Sequence, residues 1–314
     1  MTETHGKMNC IITTTIYPPS EATLRFCRKT EWQFIIVGDL KTPHHEYATL
    51  QKRYPNVRYL TPEYQAARYK EISEAIGWNT IQRRNIGFIE AYKRGAEIIA
   101  TVDDDNIPEI NWGKHVYVGQ KIKVDLFTPT ADVFDPLSIF NYPEIWHRGY
   151  PIELVKDRKY IRYQGQATRK VLVQADLWNG DPDIDAITRM IHRPIVNFSG
   201  ITRPYCSDKI SPFNSQNTFL SREVIPYYAM LPFVGRMDDI WGSYILQYYF
   251  PGSVIYGPPT VTQNRNEQNL ANNMQDELIG YRYTYQLLKN LKDYPQVIPE
   301  KTMKFYELYR QQFK

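Results

Sequence analysis

The sequence predicts an α/β fold, and three observations carry that prediction. Apolar, β-rich runs alternate with helix-like stretches through the first third of the chain. One of these runs, Ile98-Ile99-Ala100-Thr101-Val102, ends in three consecutive acids, Asp103-Asp104-Asp105. After Pro108 the character changes, and aromatic residues, prolines and mixed strand-like segments dominate through Pro259. Alternation of the first kind builds parallel, doubly wound sheets, whose ligands gather outside the carboxyl ends of the strands.

Each element has a local reason. Residues 9–16 form a β-rich run that stops at Tyr17-Pro18-Pro19, and Ser20 is placed to cap a short helix over 21–29. Residues 32–37 are a second apolar run closed by Gly38-Asp39; a polar connection and a helix lead to a third strand over 57–60. Residues 82–95 read as a helix, because Ile81, Ile86, Phe88, Ile89 and Tyr92 give a broad apolar face and Gly95 is a suitable stop. The strand that carries the three aspartates follows directly. Residues 269–313 read as helical, anchored by Leu278, Leu287, Leu288, Phe305 and Leu308. No glycine- and serine-rich linker, internal repeat or low-complexity tract divides the chain, so one domain over 1–314 is expected. It comprises a first half over 9–108, a second over 109–268 and terminal helices over 269–314.

Composition narrows the function classes. The 314 residues are 42% hydrophobic and 23% charged, as in an ordinary globular protein. A net charge of +4, with no basic run, gives no support for nucleic-acid binding. The three cysteines, Cys10, Cys27 and Cys206, make neither a disulfide framework nor a zinc pattern, and are expected as buried, reduced thiols. The six histidines form no HExxH, and His44-His45 is expected at the surface after Pro43. Residues 1–7 are polar and the apolar stretch after them is broken by threonines and prolines, so neither a signal peptide nor a transmembrane segment is expected. A cytoplasmic enzyme is the default, with homo-oligomerisation left open.

Hard carboxylate oxygens at a strand end suit Mg²⁺ or Mn²⁺, which usually hold a substrate's phosphates as well. Asp103-Asp104-Asp105 therefore reads as a metal-assisted nucleotide-sugar site; the competing reading is a solvated acidic turn before a proline. The other strand ends, 14–17 and 38–41, fall along the same crevice. GxGxxG and GxxxxGK[ST] are both missing, which removes the main support for dinucleotide and P-loop readings. Asp238-Asp239 stands at a helix start, either as a cap or as a general base whose pKa is raised by its neighbour. Asp181 and Asp183 suit sugar hydroxyls or an ordinary loop of Asx turns. Asn214, Gln216 and Asn217 offer amides to a sugar or belong to a polar edge. Arg83-Arg84-Asn85 opens a helix from which arginine can fork onto phosphate. Gln263-Asn264-Arg265-Asn266 closes over a pyrophosphate or is a plain loop.

These segments, in this order, resemble a known family. Thr13-Thr14-Thr15-Ile16, Val37-Gly38-Asp39-Leu40-Lys41-Thr42-Pro43, Arg83-Arg84-Asn85-Ile86-Gly87 and Asp103-Asp104-Asp105-Asn106 look like the STELLO-type glycosyltransferase-like proteins. Arg148-Gly149-Tyr150-Pro151, Leu177-Trp178, Pro182-Asp183-Ile184-Asp185-Ala186 and Gly235-Arg236-Met237-Asp238-Asp239-Ile240-Trp241 are also similar to the reversibly glycosylated polypeptides, or UDP-arabinopyranose mutases. The resemblance implies a GT-A-like nucleotide-diphospho-sugar transferase fold, with a mixed, mostly parallel sheet flanked by helices. In it the first strand end and Asp39 would face the base and Asp103 the ribose; with the residue readings above, the expected nucleotide site is Thr14, Thr15, Asp39, Lys41, Arg83, Asn85, Asp103, Asp104 and Arg265. Sugar or acceptor contacts would come from Arg148, Asp181, Asp183, Asn214, Gln216 and Asn217. Asp105 would hold Mn²⁺ or Mg²⁺ with Asp103, and Gln263 stands where the mutase-like proteins have a histidine suited to the metal. Asp239, or Asp238, would be the base. The expected reaction moves a sugar from a nucleotide-diphosphate donor, UDP-linked in preference, to the hydroxyl of a glycan or other acceptor. Arg148 matches the arginine that is glycosylated in the mutase family, so a pyranose–furanose mutase remains an alternative. A guanidinium is protonated and a poor nucleophile, which favours a clamp. The third reading is a non-catalytic scaffold for glycan synthesis.

Overall fold

The computed structural model describes residues 8–198, 200–265 and 268–314; the polar leader over 1–7 and Asn266 lie outside them. Strand β1 (Asn9–Thr15) is followed by α1 (Glu21–Cys27), whose cap is Ser20: its side chain accepts from Thr23 N–H. Next come β2 (Gln33–Gly38), α2 (His44–Arg53), β3 (Val57–Leu60), α3 (Pro62–Arg68) and α4 (Lys70–Ile76). A 3₁₀ turn (Ile81–Arg83) leads into α5 (Arg84–Lys93), and Gly95 takes the positive φ expected of a helix stop. β4 (Ile98–Val102) then delivers the three aspartates, and β5 (Asn106–Pro108) follows.

The second half contributes β6 (Lys121–Pro129), β7 (Ile161–Lys170), β8 (Val173–Gly180), α6 (Ala186–His192), β9 (Tyr205–Ser207), β10 (Asn217–Ser221), α7 (Asp238–Tyr249) and β11 (Val254–Gln263). The chain closes with α8 (Leu270–Lys289) and α9 (Glu300–Gln311). One sheet runs through both halves in the order β3-β2-β1-β4-β10-β8-β11-β9-β6-β7, with β5 paired to β11. β3, β2, β1 and β4 are parallel to one another, β10 joins β4 antiparallel, and β8 pairs β11 in parallel. The architecture is the expected α/β, GT-A-like one: parallel in the first half, mixed in the second.

Burial explains the composition of these strands. Ile11, Ile12, Phe34, Ile35, Ile36 and Val37 are all fully buried, because helices cover both sheet faces. Each contributes about 1.5–3 kcal/mol of apolar transfer. Gly87 lets α5 lie close on β1 and β2, since a Cβ there would collide with Ile12. Trp32, Trp112 and Phe219 interlock beneath the sheet with ring centroids 5.2–5.9 Å apart. α7 is buried from Asp238 through Gln247 and forms a central post of the second half. The three cysteines are free and buried. Of the predicted C-terminal anchors, Leu287 and Phe305 are buried and Leu288 and Leu308 pack at the core's edge. Leu278 is the exception: it lies on the outer face of α8 and is 40% exposed.

Candidate active site

The carboxyl ends of β1, β2, β4 and β11 open onto a cleft of about 530 Å³, lined also by the start of α5 and the start of α7. Thr14, Thr15, Asp39, Asp103, Asp104, Asp105, Arg148, Asp183, Gln216, Asp238, Asp239, Gln263 and Arg265 all line it. The parallel register sets this convergence, because Thr14 pairs with Val37 and Thr15 with Gly38 while β4 ends alongside β1.

The three aspartates are half-buried and differently engaged, so they are not a solvated turn. Arg84 donates to Asp103 Oδ1 at 2.7 Å. Thr15 Oγ1 donates to Asp104 Oδ2 at 2.6 Å, and Ser20 Oγ to the Asp104 carbonyl at 2.5 Å, which ties the tip of β4 to β1 and α1. Asp105 is the least satisfied: Gln263 Nε2 approaches its Oδ1 at 3.4 Å. Burial, then the neighbouring Asp103 charge, push its carboxyl up to about 7, with Arg265 acting in the opposite sense.

The opposite wall carries the second acidic pair. Arg148 is almost completely buried and pinned from two sides. Its Nη2 donates to Asp183 Oδ2 at 2.8 Å and its Nη1 to Asp239 Oδ1 at 3.0 Å, while the Arg236 carbonyl accepts a further bond. Burial alone would raise Asp239 and Asp183, but Arg148 outweighs it, so both carboxyls lie below their ordinary value. Asp238 goes the other way. Burial and the adjacent Asp239 charge push it up to about 7, and Gln82 Nε2 donates to its Oδ2 at 2.7 Å.

Several predicted site residues stand elsewhere. Arg83 does not reach the cleft: it is fully buried, bonded to Gln65, Ser73 and the Gly77 carbonyl, and stacked 3.8 Å over the Trp78 ring. Its neighbour Arg84, one helical step round, faces the cleft instead. Asn85 is spent on Gln82 O and on both Met230 backbone groups. Asn217 is spent on Trp112, the Leu177 carbonyl and Thr260. Asn214 lies behind the wall and donates to Asp183. Asp181 pairs with Arg189 outside the lining, and Lys41 is exposed beside it rather than in it. Asp39 lines the cleft but uses its carboxylate to accept from the Leu40, Asn79 and Thr80 N–H groups, holding the 79–80 loop in place. Gln263 is a supporting residue rather than an oxygen ligand: its Oε1 accepts from Gln216 and Arg265, leaving its NH₂ toward Asp105.

The sequence reading did not single out Gln82, Arg236 or Ile81 for the site, and it left Arg84, Ile16 and Tyr17 as members of longer segments. Gln82 reaches Asp238, Arg84 reaches Asp103, Arg236 lines the cleft, and Ile16, Tyr17 and Ile81 form an apolar rim. The Arg83-Arg84 pair was a signal, but only the helix phase tells which of the two faces inward.

The donor set fits a hard dication. Asp105 has a carboxylate with no ion-pair partner among the described residues, and Asp103 keeps one oxygen that Arg84 does not take. Among the described residues no three His, Cys, Asp or Glu side chains converge as a complete cage. Mg²⁺ rarely needs one, since it binds through one or two carboxylates and completes its shell with phosphate oxygens and water.

No protein-family model matches the chain. Among curated proteins it is similar to "Probable glycosyltransferase STELLO2" of Arabidopsis thaliana, at 24% identity over 77% of this chain and 34% of that protein. It is equally similar to "Probable glycosyltransferase STELLO1" of the same organism, at 24% identity over 80% of this chain and 34% of that one. The chain thus spans about a third of the length of the curated relatives it matches. The chain is similar over most of its length to the STELLO-type glycosyltransferase-like proteins, and its sheet fits the GT-A-like fold.

Proposed function

We propose that the cleft transfers a sugar from a nucleotide-diphosphate donor, UDP-linked in preference, to an acceptor hydroxyl. The observation that carries this reading is one cleft with an under-compensated acidic tip at Asp103–Asp105 on one wall and a high-pKa carboxyl, Asp238, on the other. Asp238 is the better base of the pair, because a general base works best with a pKa near the operating pH. Asp239 is held low by Arg148 and serves to fix that arginine.

Breaking the sugar–phosphate bond leaves its electron pair on the diphosphate, while the acceptor oxygen bonds the anomeric carbon and gives its proton to Asp238. Arg84, Arg236 and Arg265 line the cleft and offset charge that develops on the leaving group. Mn²⁺ or Mg²⁺, held by Asp105 with Asp103, would add Lewis-acid neutralisation of that diphosphate. The mutase alternative loses support. Burial would lower the Arg148 pKa, yet Asp183 and Asp239 outweigh it and hold the guanidinium well above its ordinary value. No lone pair is then available for attack on a sugar.

The test is a thermal-shift panel of UDP, GDP, CDP and their sugars, with and without Mn²⁺, followed by radiolabel transfer to glycan acceptors. Metal-dependent stabilisation by a UDP-sugar and label on the acceptor support the reading. No shift with any nucleotide overturns it; stabilisation with no turnover, while a glycan synthase is bound, would favour the scaffold.

A further inference from the structure

The segment between Gly180 and Val196 leaves the sheet and returns to it at one point: Gly180 and Val196 exchange both backbone hydrogen bonds, at 3.0 and 2.8 Å. Gly180 has a positive φ, and a Cβ there would collide with the Gln263 backbone, so the excursion is anchored at the cleft edge. Its inner side supplies Asp183 to the cleft, and Arg189 folds back onto Asp181 and the Pro182 carbonyl. Its tip does the opposite of what a soluble loop does. Ile191 is 68% exposed, Ile195 74% and Met190 46%, all within six residues. His192 and Arg193 are exposed among them, and neither has a carboxylate partner among the described residues.

Scattered exposed apolar residues need no explanation, but a compact apolar tip interleaved with unpaired basic groups does. Apolar side chains that insert at a boundary, beside cations that meet anionic headgroups, are the chemistry of interfacial membrane contact. We propose that this tip docks the acceptor-side wall of the cleft on an anionic lipid surface. The acceptor would then reach the cleft from the membrane face, a consequence that rests on the glycosyl-transfer reading. The lipid contact itself does not need that reading.

Flotation of the full chain with vesicles of phosphatidylcholine alone, and of phosphatidylcholine with phosphatidylserine, tests the contact. Wild type is expected to float with the phosphatidylserine vesicles, less with the neutral ones, and less in high salt. Ile191→Asp with Ile195→Asp should lower partitioning by about tenfold or more, and Arg193→Glu should remove the preference for anionic lipid. Both changes lie at the exposed tip, so the melting temperature and the thermal shift with UDP-sugar serve as controls that stay at the wild-type level. No flotation, or flotation unchanged by the double substitution, overturns the proposal. So does a self-association lost in the double variant without vesicle binding, which would assign the tip to a second copy of this chain. Loss of the nucleotide shift in wild type would sink the catalytic reading and leave the flotation result standing.

Discussion

Two acidic clusters face each other across the cleft, and they have been given opposite environments. Asp103–Asp105 follows a strand, is half-buried, and among the described residues has one direct guanidinium partner, Arg84 on Asp103. Asp238-Asp239 begins a buried helix and is built round a cation already in place, Arg148, which also pairs with Asp183, itself bridged by Arg236 and Arg265. The first cluster is left short of positive charge; the second contains its own. The contrast teaches that like sequences of acids acquire different chemistry from the charge that the fold sets beside them. A tip short of charge has room for a dication, whereas the second pair splits into a low-pKa carboxyl held by Arg148 and a high-pKa one beside it.

Removing the built-in cation should break the comparison most severely. Arg148→Met leaves Asp183 and Asp239 buried without their partner, and should cost about 3–5 kcal/mol in urea unfolding. Arg148→Lys should recover little of it, because one ammonium does not span both carboxylates. A variant of wild-type stability would show that the floor of the cleft is not held by this network.

Asp238→Asn should then separate function from stability. Loss of the base should lower transfer by roughly 10²–10⁴-fold. Stability should move the opposite way. The folded pKa, about 7, lies above the unfolded carboxylate value, so between about pH 4 and 7 the unfolded chain has released a proton that the folded chain keeps. The wild type therefore loses stability as pH rises through that window, and the asparagine variant should not. A melting-temperature profile from pH 5 to about 8 that runs parallel in the two proteins would remove Asp238 from the role of base.

Asp105→Ala sharpens the other side of the comparison. Metal affinity, read from the Mn²⁺ dependence of the UDP-sugar thermal shift, should fall by more than the roughly 10–100-fold that loss of a supporting partner costs. Gln263→Leu, which loses only such support, should fall within that range. Equal effects of the two would place the ion elsewhere.

The smallest effect is a control far from transfer chemistry. Asp176 is buried on β8 and pushed up to about 7 by burial, with Gln174 and Thr260 as neutral donors. Asp176→Asn should stabilise the protein by about 1–3 kcal/mol above pH 7, fading toward pH 4, with transfer unchanged. Loss of transfer in this variant would mean that burial, and not the cleft, sets the behaviour of Asp238.

How much of this is legible in the chain varies by element. The strand over 57–60, the cap at Ser20 and the stop at Gly95 are local events, governed by residues within a turn of one another, and the structure places them as expected. Which arginine of Arg83-Arg84 faces the cleft depends on how α5 rolls against β1 and β2, and that roll is set by Gly87 meeting Ile12. Asn85 and Asn217 have the polar chemistry of binding residues, yet beyond the local Asn85–Gln82 bond the fold spends them on groups 40 to 145 positions away. Nothing near them in sequence records those partners.

The sequence by itself determined the alternation of strands and helices, the strand that ends in three acids, and the residue types available to the cleft. These follow from periodicity and capping, which act over a few residues. Tertiary structure alone decided that Arg148 would stand between Asp183 and Asp239, that Gln82 would meet Asp238, and that Asp105 would meet the neutral Gln263. The physical reason is that a carboxylate's pKa and partners are set by burial and by charges within a few ångströms. In this protein those partners come from far along the chain: Gln263 meets Asp105 from 158 residues away, and the Arg148 charge meets Asp239 from 91.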